Sequence, residues 1–152
     1  MEIVIVCVGK IKEKYLVTGI EHYIREIKKT IPVSIIQMDD EKAPENLSVA
    51  MEEQVKDHEG EKLLRVIKDD MYVITLEILG KEVTTDAFIK VIKKAGQTNK
   101  DRICFVIGGS LGLSEAVLKR SNTAISFSKM TFPHQLMRLI LVQKIAEIRD
   151  YL

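Results

Sequence analysis

With 152 residues and a formal net charge of +1, the chain is long enough for one hydrophobic core and lacks the global positive field of a protein that coats nucleic acid. Hydrophobic residues make up 46% and charged residues 30%, which excludes a disordered chain or a disulfide scaffold from the expectations. The first apolar run, residues 3–8, is too short for a signal peptide or a membrane span, so a cytoplasmic protein without membrane contact is expected.

That first run is β-branched, ends at Gly9 and reads as a buried strand. Tyr15, Ile20, Tyr23, Ile24 and Ile27 recur at helical spacing up to a stop at Thr30 and Pro32. Residues 33–38 form a second strand, followed by a polar loop over 39–45. Asn46 or Ser48 can cap a long charged helix to Lys68, although Gly60 falls inside it. Its Lys- and Glu-rich stretch, 52–68, reads as a solvated face.

Residues 71–78 predict a third strand closed by Gly80. Thr84, Thr85 and Asp86 can open a helix through Lys94 that Gly96 ends. Residues 103–107 form a fourth strand, and Ser114 followed by Glu115 caps a short helix to Arg120. Residues 123–127 form a fifth strand. Pro133 then precedes a last helix whose apolar face carries Leu136, Leu139, Ile140 and Ile145.

Strands alternating with helices predict an α/β fold: one domain, residues 1–152, with a mostly parallel sheet of about five strands flanked by helices. In such sheets ligands bind beyond the carboxyl ends of the strands. Two blocks of small and polar residues fall there, Gly108-Gly109-Ser110-Leu111-Gly112 and the stretch from Ser126 to Gln135. The first lacks dinucleotide-binding spacing, and no Gly-Lys-Ser/Thr follows it. Ser126 and Lys129 match a Ser-x-x-Lys element, but the further signatures of serine acyl-enzymes are absent.

His134 stands at the start of the last helix, where the dipole favours a neutral ring, and is either a proton acceptor or a polar cap. His22 and His58 fall on polar helix faces and read as exposed. Lys10, Lys12 and Lys14 cluster after the first strand and could meet phosphate, or be simply solvated. Cys7 and Cys104 sit in apolar runs and read as buried thiols, and no Cys/His spacing suggests a metal.

Phe105-Val106-Ile107-Gly108-Gly109-Ser110-Leu111-Gly112-Leu113 and Ser126-Phe127-Ser128-Lys129-Met130-Thr131-Phe132-Pro133-His134-Gln135 together resemble the RlmH family of SPOUT-class methyltransferases. The likeness extends to Val8-Gly9-Lys10-Ile11-Lys12-Glu13-Lys14-Tyr15, Asp40-Glu41-Lys42-Ala43-Pro44-Glu45-Asn46, and Ile74-Thr75-Leu76-Glu77-Ile78 with Gly80-Lys81. The resemblance implies a homodimer with a C-terminal trefoil knot, methylating N3 of a pseudouridine in large-subunit (23S) ribosomal RNA. It implies S-adenosylmethionine as cofactor. The matching cofactor positions are Leu76, Gly108, Phe127, Ser128, Lys129, Met130, Thr131 and Phe132. His134 is then the candidate catalytic residue, and Lys10, Lys12 and Lys14 are the candidate RNA contacts.

The C-terminal stretch departs from the family pattern. RlmH-like chains carry Glu-Gln-x-Tyr-Arg-Ala and a tail close to Tyr-His-Lys that reaches the active site. Here the stretch is Gln143-Lys144-Ile145-Ala146-Glu147-Ile148, then Arg149-Asp150-Tyr151-Leu152. The alternative expectation is therefore a catalytically impaired relative that binds S-adenosylmethionine or a partner without methyl transfer.

Overall fold

The computed structural model describes residues 1–42 and 45–152, so Ala43 and Pro44 of the polar loop lie outside the described residues. Chain order is β1 (Glu2–Val8), α1 (Lys14–Lys28), β2 (Val33–Met38), α2 (Val49–Val66), β3 (Met71–Glu82), α3 (Thr85–Gly96), β4 (Arg102–Ile107), α4 (Glu115–Arg120), β5 (Thr123–Ser126) and α5 (His134–Ile148), with a final 3₁₀ turn at Arg149–Tyr151. The five strands pair in the order β2-β1-β4-β3-β5, and every pairing is parallel.

Both faces of the sheet are covered, which is why its strands read as continuous apolar runs rather than alternating ones. Successive residues of β1 point to opposite sides. Ile3, Ile5 and Cys7 join a core with Ile20 and Ile27 of α1, Phe88 and Ile92 of α3, and Leu141, Val142 and Ile145 of α5. Val4, Val6 and Val8 join a second core with Leu63 of α2 and Val117 of α4. Each fully buried aliphatic side chain contributes about 1.5–3 kcal/mol. The helix starts follow their caps: Ser48, Thr84 and Ser114 accept the amides of Met51, Ala87 and Val117 at 3.2, 3.1 and 3.3 Å. Both thiols are buried, with desolvation pushing Cys7 up to about 11 and Cys104 to about 12.

Four expectations need correction. Gly60 does not interrupt α2; a Cβ there would lie 2.2 Å from Ser114 Oγ, so glycine is required where α2 meets the start of α4. The third strand does not stop near Gly80. It bulges after Leu76 and pairs again with β5 through Lys81 and Glu82. Tyr15 is exposed and lies outside the α1 stripe, whose buried members are Leu16, Ile20 and Ile27.

The fourth correction concerns α5, which packs into the core through Leu141, Val142, Ile145 and Ile148. Of the face expected from sequence only Ile145 is buried; Leu136, Leu139 and Ile140 are half-exposed. The helix is apolar nearly all round, so periodicity could not choose its inward side. Although β5 lies at one edge of the sheet, α5 returns to the other side, where its Arg138 reaches Gln37 of β2 and the end of β1.

Candidate active site at the carboxyl ends of the strands

Because β4, β3 and β5 are neighbours, Leu76 is paired with Ile107 on one side and Ile125 on the other. Gly108 follows β4 directly and Phe127 follows β5 directly, so three segments distant in sequence meet at one edge. They enclose a cavity of about 480 Å³. Its apolar wall includes Leu76, Ile107, Leu113, Ile125 and Phe127. Ser128, Met130, Thr131, Phe132 and His134 also line it, whereas Lys129 is exposed and does not.

Local hydrogen bonding shapes both loops. The glycine turn closes as the Gly112 amide donates to Gly109 O at 3.1 Å, with Gly112 at φ +89°. A Cβ on Gly108 would stand 2.8 Å from Gly112 O, so no larger residue permits this closure. Across the cavity, the Ser126 hydroxyl donates to Ser128 O at 2.8 Å and accepts the Ser128 amide at 3.3 Å. Ser128 Oγ then accepts the Met130 amide at 3.0 Å, winding the segment tightly. Phe127 is anchored edge-on against Phe88, with ring centroids 5.3 Å apart. Beyond it the wall is open: Met130 is 70% exposed.

His134 is the first residue of α5 and half-buried. Its Nε2 would lie 3.4 Å from a Cβ at Gly9, so it closes the cavity against the end of β1. Burial, and then the positive charge of Arg138, hold its pKa below the ordinary histidine value, with Asp40 opposing. The ring is therefore neutral near pH 7 and can accept a proton. Lys10 and Lys12 are exposed just beyond β1, and Lys14 opens α1; none of the three lines the cavity.

Arg138 and Glu59 escaped the sequence reading. Arg138 is buried and donates to Gly9 O at 2.9 Å and Gln37 Oε1 at 2.8 Å, pinning α5 to the ends of β1 and β2. A single cation inside the apolar stretch Gln135-Leu136-Met137-Arg138-Leu139-Ile140-Leu141 was the available signal. Glu59 is buried beside Gly109 and accepts the Glu41 amide at 3.1 Å. Desolvation raises its pKa. The adjoining Gly60 inside a helix was the hint of close packing there.

Residues 1–146 match the family described as "Predicted SPOUT methyltransferase". The chain belongs to the SPOUT methyltransferase family. It is 54% identical over 145 residues to the ribosomal RNA large subunit methyltransferase H of Listeria monocytogenes, covering 95% of this chain and 91% of that protein. Identity to the Clostridium botulinum enzyme of the same name is 49% over the same shares. The match leaves less than a tenth of those relatives' length uncovered. The A. aeolicus TrmH/SpoU tRNA modifying enzyme superposes with a TM-score of 0.53 at 10% identity, covering 99% of this chain and 76% of that one. At that identity the likeness speaks for the SPOUT fold alone. This SPOUT methyltransferase is an enzyme by family, and its cavity lies where parallel sheets hold ligands.

Proposed function

We propose that the chain transfers a methyl group from S-adenosylmethionine to N3 of a pseudouridine in large-subunit ribosomal RNA. The observation that carries this reading is the meeting of Leu76, the Gly108 turn, Phe127, Ser128, Met130, Thr131 and Phe132 around one cavity, with a neutral His134 at its edge. The names of the relatives support the RNA class. The cavity suits the cofactor: its volume of about 480 Å³ falls within the range of small-molecule sites. Apolar walls suit an adenine, and the turns place backbone groups at its edge.

When bound, S-adenosylmethionine supplies an electrophilic methyl on a sulfonium. The chain's own residues do the rest. Leu76, Phe127 and Phe132 would flank the adenine, while the backbone of Gly108, Ser128, Met130 and Thr131 would meet its polar edge. His134 would accept the imide proton of the target base as the methyl group is transferred. A positioned base contributes typically about 10²–10⁴-fold. Lys10, Lys12 and Lys14 lie at the same sheet end, where exposed cations can hold RNA phosphates.

The half-exposed Leu136, Leu139 and Ile140 of α5 supply an apolar face for a second copy, in keeping with a homodimer. The return of α5 from the β5 edge to β1 is in keeping with a C-terminal knot in a single domain. A cytoplasmic location follows from an RNA substrate of that class; among the described residues no helix is long and apolar enough to cross a membrane. Transfer of a radiolabelled methyl group to ribosomes lacking the modification tests the reading. Incorporation at one uridine-derived base is expected, and cofactor binding without incorporation would favour the binding-only alternative.

A further inference from the structure

Helix α2 contributes two charged residues to the cavity wall, Glu53 and Lys56, which no family position used above includes. Lys56 is the only Lys or Arg among the described lining residues, whereas Glu53, Glu77 and Glu115 are acidic. Lys56 Nζ lies 2.8 Å from Glu53 Oε1, one helical turn away. Its side chain is only 22% exposed. In the i,i+3 pair at the C-terminal end of α1, the Lys29 side chain is 65% exposed. An exposed pair of this kind adds little to stability. Lys56 is thus half-buried at the wall of a cavity that has no other Lys or Arg among its described lining residues, and its carboxylate partner is one that a ligand could replace.

We infer that the Glu53–Lys56 pair receives the zwitterionic amino-acid end of the cofactor, Lys56 taking its carboxylate and Glu53 its α-ammonium group. The inference rests on the cofactor reading above. An S-adenosylmethionine molecule carries a carboxylate and an ammonium on one carbon. A Glu and a Lys at i and i+3 present the complementary charges side by side on one helix face. Neither apolar walls nor backbone carbonyls can replace a cation for a carboxylate leaving water. On binding, the internal ion pair is exchanged for two pairs with the ligand, so each of the four charges keeps an opposite partner. This assigns α2 a part in choosing the methyl donor over adenosine compounds that lack the amino-acid arm.

Calorimetric titration with S-adenosylmethionine and with its decarboxylated form tests the assignment on the full chain. The unmutated protein should favour the carboxylate-bearing ligand by about tenfold, and Lys56→Met should abolish that preference. Glu53→Gln should weaken both ligands alike and keep the preference. A uniform weakening in Lys56→Met marks a merely structural role and overturns the assignment. So does an unmutated protein without preference, or a Lys56→Met variant that loses ribosome affinity alone. If the unmutated protein binds neither ligand, the cofactor reading itself fails.

Discussion

The two ends of this sheet are built on opposite plans. At the amino ends of the strands, polar groups bond to one another. Asp70 takes both Nε and a terminal nitrogen of Arg102 at 2.9 and 2.8 Å. Arg120 caps Lys68 O at 2.9 Å and Met71 O at 3.0 Å, and Asn122 Oδ1 accepts the Val73 amide at 2.8 Å. At the carboxyl ends the same strands run into glycines, exposed Met130 and Phe132, a neutral histidine and a cavity. Closing one end lets the other carry open loops, since the frame that holds them is anchored elsewhere. Changes at the amino end should therefore cost stability, and changes at the carboxyl end should cost ligand binding or turnover.

The strongest way to break the contrast is Gly108→Val. Its branched side chain would enter space 2.8 Å from Gly112 O, so cofactor affinity should fall by more than about 100-fold by calorimetry while the sheet stays folded by circular dichroism. Next is His134→Gln, for which methyl transfer should drop about 10²–10⁴-fold with cofactor affinity retained. In the unmutated enzyme the rate should fall on the acid side, with an inflection below the ordinary histidine value near 6.5, since protonation removes the acceptor and the folded-state pKa is lowered. The same depressed pKa makes His134 stabilise the fold above the unfolded-state value, a contribution lost as pH falls through the folded one.

Arg138→Met joins the two plans, because the residue anchors the frame within the active end. Removing its donors to Gly9 O and Gln37 should cost about 1–3 kcal/mol in urea denaturation. It should also shift the acid limb of the rate profile to higher pH, because the cation that disfavours protonated His134 is gone. The smallest effect is expected for Asp70→Asn. Arg102 holds this carboxyl below its usual range, so the variant should lose only a little of the stability present above the unfolded-state pKa and leave methyl transfer unchanged.

Much of the frame was legible in the residues, and the reasons are local. Buried parallel strands announce themselves as β-branched runs, and Ser48, Thr84 and Ser114 cap helices through hydroxyls that sequence displays directly. The two loop blocks were legible as ligand turns because small residues have few other uses after a buried strand. What stayed hidden depends on contacts between distant segments. The β3 strand continues past Gly80 only because β5 lies beside it, and the inward side of α5 is set by α1 and the sheet rather than by its own pattern. Glu59 and Lys56 looked like members of a solvated charged face. Their meaning comes from the glycine turn and the cavity opposite, which no spacing within α2 encodes.

The most direct measurement is cofactor binding to three forms of the chain, unmutated, Asp70→Asn and Gly108→Val, titrated with S-adenosylmethionine in one calorimeter series. Equal binding to the first two and none to the third is expected. No binding to the unmutated chain at millimolar cofactor, or undiminished binding to Gly108→Val, would contradict it.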